Sequence, residues 1–385
     1  MNVTIIGGGN IGMCLAGEIS RIKWYHVKIY TSKSELFGER ITVADDEKGI
    51  TFSSGEIIAT YDIKYAISDA DIILCTLPSN LRKTFIQKMM PFVKKKAALG
   101  FFPGYGGAEL YCSELIQKGM TVFGLQKVPY VARTKEPGKI AGLMSKKNKI
   151  LVAALPHDRT DEVADMLEDM LLMKCVRLKN YMAATLLPGN PLLHTSGSVV
   201  YLDNYKKGQM FPEQIYYYQS WTDECSEFLC RFSDEMMEVC EKLPIDLTEV
   251  ESIQKYYESP TPKDLTRKFH EIPSYNALLL PMKKVQKSVF FFCGGGGCMC
   301  GFIPDFSSRF YTEDIPNGVC IIKALSQFVG VETPTIDYVL DWYFRMTGKE
   351  YFQKDGSFGK DIMETAIPQI NGIQTVEDLV DFYTR

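Results

Sequence analysis

Short runs of β-branched and other apolar residues alternate with segments of helical period over the first half of the chain. This alternation predicts βαβ units that feed a parallel sheet. Residues 3–6, 27–30, 72–75 and 97–101 read as buried strands, and 150–155 and 175–178 as further ones. Between the last two, residues 161–173 alternate charged and apolar side chains at helical spacing. Beyond residue 180 the pattern changes: 213–242, 321–329 and 335–347 read as helices, with little strand signal between them. Leu187-Pro188-Gly189-Asn190-Pro191 carries the punctuation of a domain junction, because Pro and Gly stop helix and strand alike. The pattern therefore predicts an α/β N-terminal domain over residues 1–183, Rossmann-like with a doubly wound, mostly parallel sheet. An all-α C-terminal domain is expected over 184–385.

Composition narrows the classes. A chain of 385 residues with 46% hydrophobic and 23% charged residues has enough apolar material for two cores, so it is neither disordered nor fibrous. Lys plus Arg number 43 against 47 Asp plus Glu, so no basic excess advertises nucleic acid or anionic lipid. Eleven cysteines without framework spacing argue against a disulfide scaffold and for a reducing cytoplasm. No apolar run reaches the roughly 18 residues of a membrane helix. The longest candidate, 289–303, contains four consecutive glycines, reads as a loop or insertion, and holds Cys293, Cys298 and Cys300 without the pairing of a zinc site. No metal is expected.

Gly7-Gly8-Gly9-Asn10-Ile11-Gly12 directly follows an apolar strand and opens a helical segment, the context that a dinucleotide fingerprint requires. Gly7 permits the tight turn, Gly9 lets backbone N–H groups approach a pyrophosphate, and Gly12 lets helix and strand pack closely. Asn10 and Ile11 belong to the same loop. The second strand ends Tyr30-Thr31-Ser32-Lys33-Ser34, with no carboxylate where NAD would have its ribose 2′-OH bound. Thr31, Ser32 and Lys33 instead suit a 2′-phosphate, so NADP is expected, with NAD as the alternative if Glu35 reaches back. Thr76, Leu77 and Pro78, at the carboxyl end of a strand, are expected at the nicotinamide end. Pro103-Gly104-Tyr105-Gly106-Gly107 is either a second close-approach loop or a tight connection.

Of the four histidines, His194 comes directly after the domain junction and is expected to face an interdomain cleft, a buried core position being the other reading. Val128-Pro129-Tyr130-Val131-Ala132-Arg133, Asn190-x-x-x-His194, Tyr216-Tyr217-Tyr218, Ser274-Tyr275 with Pro281, and above all the run from Pro304 through Arg309-Phe310-Tyr311-Thr312-Glu313-Asp314-Ile315-Pro316 to Gly318 carry a resemblance. The chain resembles the opine dehydrogenases (the octopine and nopaline dehydrogenase family) over nearly its whole length. The resemblance implies a catalytic dyad of His194 and Asp314, a substrate-carboxylate role for Arg309, and Asn190 and Thr195 as neighbours of the substrate. Thr195 stands where the family often has proline. The implied activity is NAD(P)H-dependent reductive condensation of an amino acid with a 2-oxo acid such as pyruvate.

The residues themselves fit such chemistry, because imine reduction needs a group that manages a proton near neutral pH and a guanidinium that forks onto a carboxylate. Asp314 also stands where a helix N-cap would, and Arg309 where a surface ion pair would. Two alternatives remain open, a 2-oxo acid or 2-hydroxy acid reductase similar to the ketopantoate reductases and a non-catalytic nucleotide sensor. Tyr216-Tyr217-Tyr218 and Phe290-Phe291-Phe292 suit a pocket, an interface or a core, which leaves a homodimer open.

Overall fold

The computed structural model describes residues 1–187, 189–290 and 296–384, with side chains given outside 287–299. The chain divides into two units. One comprises Met1–Leu187, Pro244–Glu249 and Pro368–Arg385; the other comprises Pro188–Leu243 and Val250–Ile367. The expected division at 183/184 therefore shifts to 187/188, and the C-terminal segment belongs to the first unit. The reason lies in long-range polar contacts. Lys179 donates from its backbone N–H to Glu249 (2.7 Å) and from Nζ to Asp246 (2.9 Å), while the Asn180 amide donates to the Tyr383 carbonyl (3.0 Å).

In the first unit an eight-stranded sheet is built from β1 (Asn2–Ile6), β2 (His26–Tyr30), β5 (Ile57–Thr60), β6 (Ile72–Cys75), β7 (Ala98–Phe101), β8 (Thr121–Leu125), β11 (Lys149–Leu155) and β12 (Lys174–Arg177). Its order is β12-β11-β8-β7-β6-β1-β2-β5, and all pairs are parallel except β8 with β11. Central strands of a parallel sheet are covered on both faces and so read as unbroken apolar runs. Val3, Ile5 and Ile6 of β1 and all four residues of β6 are indeed fully buried. The helix Asn10–Ile19 follows β1, and Met13, Cys14, Leu15, Ala16 and Ile19 are buried against the core.

Four short strands, β3 (Thr42–Asp45), β4 (Ile50–Ser53), β9 (Tyr130–Glu136) and β10 (Ile140–Lys146), form a second sheet that the hydrophobic pattern did not reveal. Several are half-exposed, and Thr, Lys and Glu alternate with their apolar positions. Such strands carry less signal than buried ones.

The second unit is built mainly of helices, among them Asn190–Leu202, Asp223–Lys242, Pro262–Glu271, Cys320–Val329 and Pro334–Thr347. Asp223–Lys242 buries Cys225, Phe228, Leu229, Phe232, Met236, Val239 and Cys240 along one stripe, as helical period requires. It starts ten residues later than the pattern suggested, because Thr222 caps it by accepting from the Cys225 N–H (3.4 Å). Upstream, Phe211 exchanges both backbone hydrogen bonds with Phe302 (2.8 Å each), which commits that stretch to extended pairing. The segment read as a loop is a hairpin, β13 (Met282–Phe290) with β14 (Gly296–Pro304) in antiparallel register from Met282/Pro304 to Phe290/Gly296. Cys293 and the phenylalanines at 291 and 292 lie outside the described residues. Among the described residues no helix is long and apolar enough to cross a membrane.

The C-terminal helix Val376–Thr384 is tied to the first unit through a buried carboxylate. Glu109 is fully buried, and its Oε1 accepts from Thr185 Oγ1 (2.6 Å) and Tyr383 Oη (2.8 Å). Burial raises its pKa, and the hydrogen bonds from Thr185 and Tyr383 and the charge of Arg82 only partly offset this. A carboxyl whose folded pKa lies above its unfolded value stabilises the fold below the unfolded pKa, and that contribution is lost as pH rises through the folded pKa. Glu109→Gln should therefore raise Tm at pH 8 relative to wild type, with the gain shrinking toward pH 4. Thermal melts across that range check this, and a pH-independent difference would count against it.

Candidate active site

The first of two clusters lies at the carboxyl ends of the parallel strands. Gly7 has φ +104°, a conformation that L side chains rarely adopt, and its N–H donates to the Tyr30 carbonyl (3.0 Å). A Cβ on Gly12 would sit 1.8 Å from the Gly7 carbonyl oxygen, so this glycine is required for helix and strand to touch. A Cβ on Gly9 would meet nothing within 4 Å, which leaves an open cradle at the helix N-terminus. The first turn of that helix carries no acidic side chain, so its partial positive charge is uncompensated. A cavity of about 720 Å³ is lined by Gly7, Gly8, Gly9, Tyr30, Thr31, Ser32, Lys33, Tyr61 and Leu77. The cradle and the cavity fit a dinucleotide: glycine amides for the pyrophosphate, and Thr31, Ser32 and Lys33 where the adenosine ribose would lie.

Three of the expected cofactor neighbours also have roles within the fold. The Asn10 side-chain oxygen accepts from the Thr134 N–H (2.8 Å), so it anchors β9. Ile11 packs against the core. Thr76 Oγ1 donates to the Ile6 carbonyl (2.9 Å) and lies 2.7 Å from where a Gly7 Cβ would be, so it braces the glycine turn. Leu77 lines the cavity, and Pro78 leads into the helix Ser79–Met89. Glu35 lies in a single 3-10 turn and does not line the cavity. In the second glycine loop, a Cβ on Gly104 would strike the Gly124 backbone at 2.8 Å, so close strand packing accounts for glycine there.

The second cluster lies within the helical unit. Asn190 and His194 are four residues apart on the helix Asn190–Leu202 and so share one face. Asp314 Oδ2 lies 2.7 Å from His194 Nδ1, and both side chains are largely buried, at 4% and 14% exposure. Burial pushes the Asp314 carboxyl upward from its usual range, and the bond to His194 pulls against that shift. With the carboxylate ionised, Nδ1 carries the proton and Nε2 is the nitrogen left to exchange one.

Local backbone geometry explains how a residue 120 positions away reaches the histidine. Ser308 caps the turn Arg309–Thr312, after which the chain widens into a π-helix, Ile315–Val319. The Asp314 N–H bonds the Arg309 carbonyl (3.3 Å) and the Val319 N–H bonds the Asp314 carbonyl (3.0 Å), both five residues apart. Such widened turns recur at functional sites because they displace a side chain from regular helical spacing. Asp314 makes no side-chain cap, so the capping alternative does not hold. A Cβ on Gly318 would lie 2.4 Å from Pro191 Cγ, and glycine there lets the widened turn close on the start of the histidine helix.

Arg309 directs Nε (2.6 Å) and a terminal nitrogen (2.5 Å) at one oxygen of the buried Glu313, while its side chain remains 64% exposed. The guanidinium is thus held by a carboxylate and still reachable. Thr195, in contrast, is fully buried and its hydroxyl donates to the Pro191 carbonyl one turn back. It is a helix-packing residue and cannot touch a substrate, a correction to the sequence expectation. Asn190 remains exposed at the helix start.

Sequence reasoning missed Phe310, Glu313 and Tyr217. Phe310 stacks on the His194 ring at 3.5 Å between centroids and 6° between planes, and Tyr217 meets the Phe310 ring edge-on at 5.5 Å and 88°. The Tyr217 hydroxyl is shared between the carbonyls of Leu193 (2.8 Å) and His194 (2.7 Å). Tyr217 and Tyr218 are buried, and Tyr217 also meets the histidine ring edge-on at 6.2 Å. The presence of Phe310 within the same short run as Arg309 and Asp314 was the one available signal.

Comparison with known proteins relates both halves of the chain to dehydrogenases. The octopine/nopaline dehydrogenase alpha-helical domain (NAD/NADP) matches residues 177–347, and the N-terminus of NAD-dependent glycerol-3-phosphate dehydrogenase matches residues 2–102. An opine dehydrogenase of Haliotis discus hannai is 25% identical, over 99% of this chain and 98% of its own. A structure of octopine dehydrogenase with NADH and pyruvate superposes with a TM-score of 0.84 at 24% identity, covering 99% of this chain and 98% of that one. Yersinopine dehydrogenase with NADP+ bound shares the fold at a TM-score of 0.66 and 12% identity, covering 97% and 99%. The chain is thus an oxidoreductase that carries the octopine/nopaline dehydrogenase helical domain and aligns end to end with opine dehydrogenases.

Proposed function

We propose that this protein reductively condenses an amino acid with a 2-oxo acid, such as pyruvate, to a secondary amine dicarboxylate, with NADP(H) preferred over NAD(H). The observation that carries the reading is the buried His194–Asp314 pair at 2.7 Å, next to a reachable guanidinium.

Condensation of the amine with the oxo acid releases water and leaves an imine. When bound, the reduced nicotinamide supplies the hydride that the imine carbon accepts. His194 Nε2 gives a proton in the condensing direction and takes it back in the reverse. Asp314 keeps Nδ1 protonated and stabilises the imidazolium, as a buried carboxylate does for a catalytic histidine elsewhere. Arg309, aimed by Glu313, receives a substrate carboxylate as a planar fork. Asn190 sits one turn before His194 and offers an amide to the same substrate. The amides at Gly8 and Gly9 and the helix behind them would hold the pyrophosphate. Lys33 lines the cavity and would meet the 2′-phosphate; it has no ion-pair partner among the described residues, which suits a cation reserved for a ligand.

Oxidation of NADPH and NADH, followed by absorbance against 2-oxo acids with and without amino acids, tests the reading. Turnover requiring both substrates is the expected result; turnover with an oxo acid alone would indicate the simple reductase, and none despite cofactor binding the sensor. His194→Ala should lower kcat by about 10²–10⁴-fold, the usual contribution of a general acid–base group, with cofactor Kd unchanged. Lys33→Ala should weaken NADPH binding by about 10-fold, the loss of one charge-assisted hydrogen bond, and leave NADH binding nearly unaltered. Fluorescence titration reads both, and equal losses for the two cofactors would refute the NADP preference. Gly9→Ala should keep the wild-type Tm yet weaken both cofactors, whereas Gly12→Ala should lower Tm as well, because only its Cβ strikes backbone.

A further inference from the structure

We propose that Phe310 is a positioning residue for His194, holding the imidazole plane for proton transfer; the inference rests on the acid–base reading of His194. Two neutral aromatic rings avoid a centred face-to-face sandwich and settle in offset or edge-on arrangements. The His194 and Phe310 rings lie nearly parallel, at 6°, with centroids 3.5 Å apart, which is the arrangement neutral rings avoid. It becomes favourable when one ring is cationic, because the negative face of a phenyl ring attracts positive charge. Protonated imidazole is the species that His194 forms each time it accepts a proton.

The stack also fixes what the dyad bond alone leaves free. The bond from Nδ1 to Asp314 sets one in-plane direction, but the ring can still rock about it. Phe310 covers one face of the imidazole at contact distance and removes that rocking, so Nε2 keeps one heading. Phe310 is itself held: Tyr217 packs edge-on against it, and the Tyr217 hydroxyl is anchored on the carbonyls of Leu193 and His194. Ring, clamp and anchor therefore form a closed loop that begins and ends at the histidine helix. Phe310 is only partly buried, so simple core filling does not account for its place in the stack. Arg309 and Phe310 are adjacent, so one short turn supplies the carboxylate fork and the histidine clamp.

The test uses the full-length protein as Phe310→Leu and Phe310→Tyr, with kcat, KM and cofactor Kd measured for the productive substrate pair. Phe310→Leu should lower kcat roughly 10–100-fold, within the range of misplaced acid–base groups, with KM for the oxo acid and cofactor Kd unchanged. Phe310→Tyr, which keeps the ring, should restore most of kcat. A Phe310→Leu enzyme with wild-type kcat, or a Phe310→Tyr enzyme as impaired as Phe310→Leu, would overturn the proposal. NMR of histidine-labelled wild-type protein gives a readout independent of activity and of any variant's folding. The imidazole carbon-bound protons of His194, assigned by their loss in His194→Ala, should lie upfield of those of the other three histidines through the ring current of Phe310. An unshifted resonance would overturn the stack. If His194→Ala retained turnover while the upfield shift was present, the acid–base reading would fail and the positioning role with it; normal loss in His194→Ala with a silent Phe310→Leu would sink the positioning role alone.

Discussion

The hydrogen bond between His194 and Asp314 is the constraint around which the helical unit is arranged. A carboxylate at 4% exposure is costly unless it is paired, and the histidine is the partner that repays its burial. For the two to meet, a chain segment 120 residues downstream must come within 2.7 Å of one helix face. The widened turn after Asp314 and the absent side chain at Gly318, against Pro191, are the local devices that allow it. Phe310, Glu313 and Arg309 follow from the same turn, because residues within five positions of Asp314 are necessarily delivered with it. A single segment therefore carries the partner of the histidine, its stacking ring and the guanidinium with its own carboxylate.

In the sheet unit, the corresponding constraint is the contact between the first strand and the first helix. Gly12 admits that contact, Gly7 turns the chain into it, and Thr76 ties the turn to the strand beside it. Gly9 differs, since it faces open space and its lack of a side chain serves a ligand more than the fold. The same region shows how one pattern mixes purposes: Asn10 lies inside the fingerprint yet its amide supports Thr134 of another strand. Beyond the second strand, hydroxyls and a lysine line the cavity, and Glu35 does not.

Much of the architecture was legible because burial on both sides leaves an unmistakable mark. The strands at 3–6, 72–75 and 150–155 could be read directly, since a doubly covered strand is a nearly continuous apolar run. The second sheet was not legible, because its strands are short, half-exposed and rich in Thr, Lys and Glu. The pairing of Met282–Phe290 with Gly296–Pro304 was hidden by glycines, which ordinarily signal a loop. Among the candidate site residues, His194, Asp314 and Arg309 were picked out by motif, and the structure brings His194 and Asp314 together. Thr195 was misassigned, because a hydroxyl beside a candidate histidine on a helix points elsewhere, and here it is spent on the Pro191 carbonyl. Phe310 and Tyr217 were missed because ring stacking between residues far apart in sequence leaves no periodic trace.

By itself, the amino-acid sequence determined the presence of a parallel sheet with a dinucleotide turn, a helical second half, and the residue types that acid–base and carboxylate chemistry require. These follow from periodicity, from steric limits at glycine and from side-chain chemistry, all of which act over a few neighbouring residues. Only the tertiary structure decided that the last residues return to the sheet unit through Glu109 and Tyr383, that Asp314 is a buried partner and not a cap, and that a phenylalanine covers one face of the histidine. Those outcomes depend on which distant groups share a desolvated space, where an unpaired charge is costly and a ring must find a face to pack on. Short-range pattern carries no record of that choice, because the free energy that makes it arises only when the segments meet.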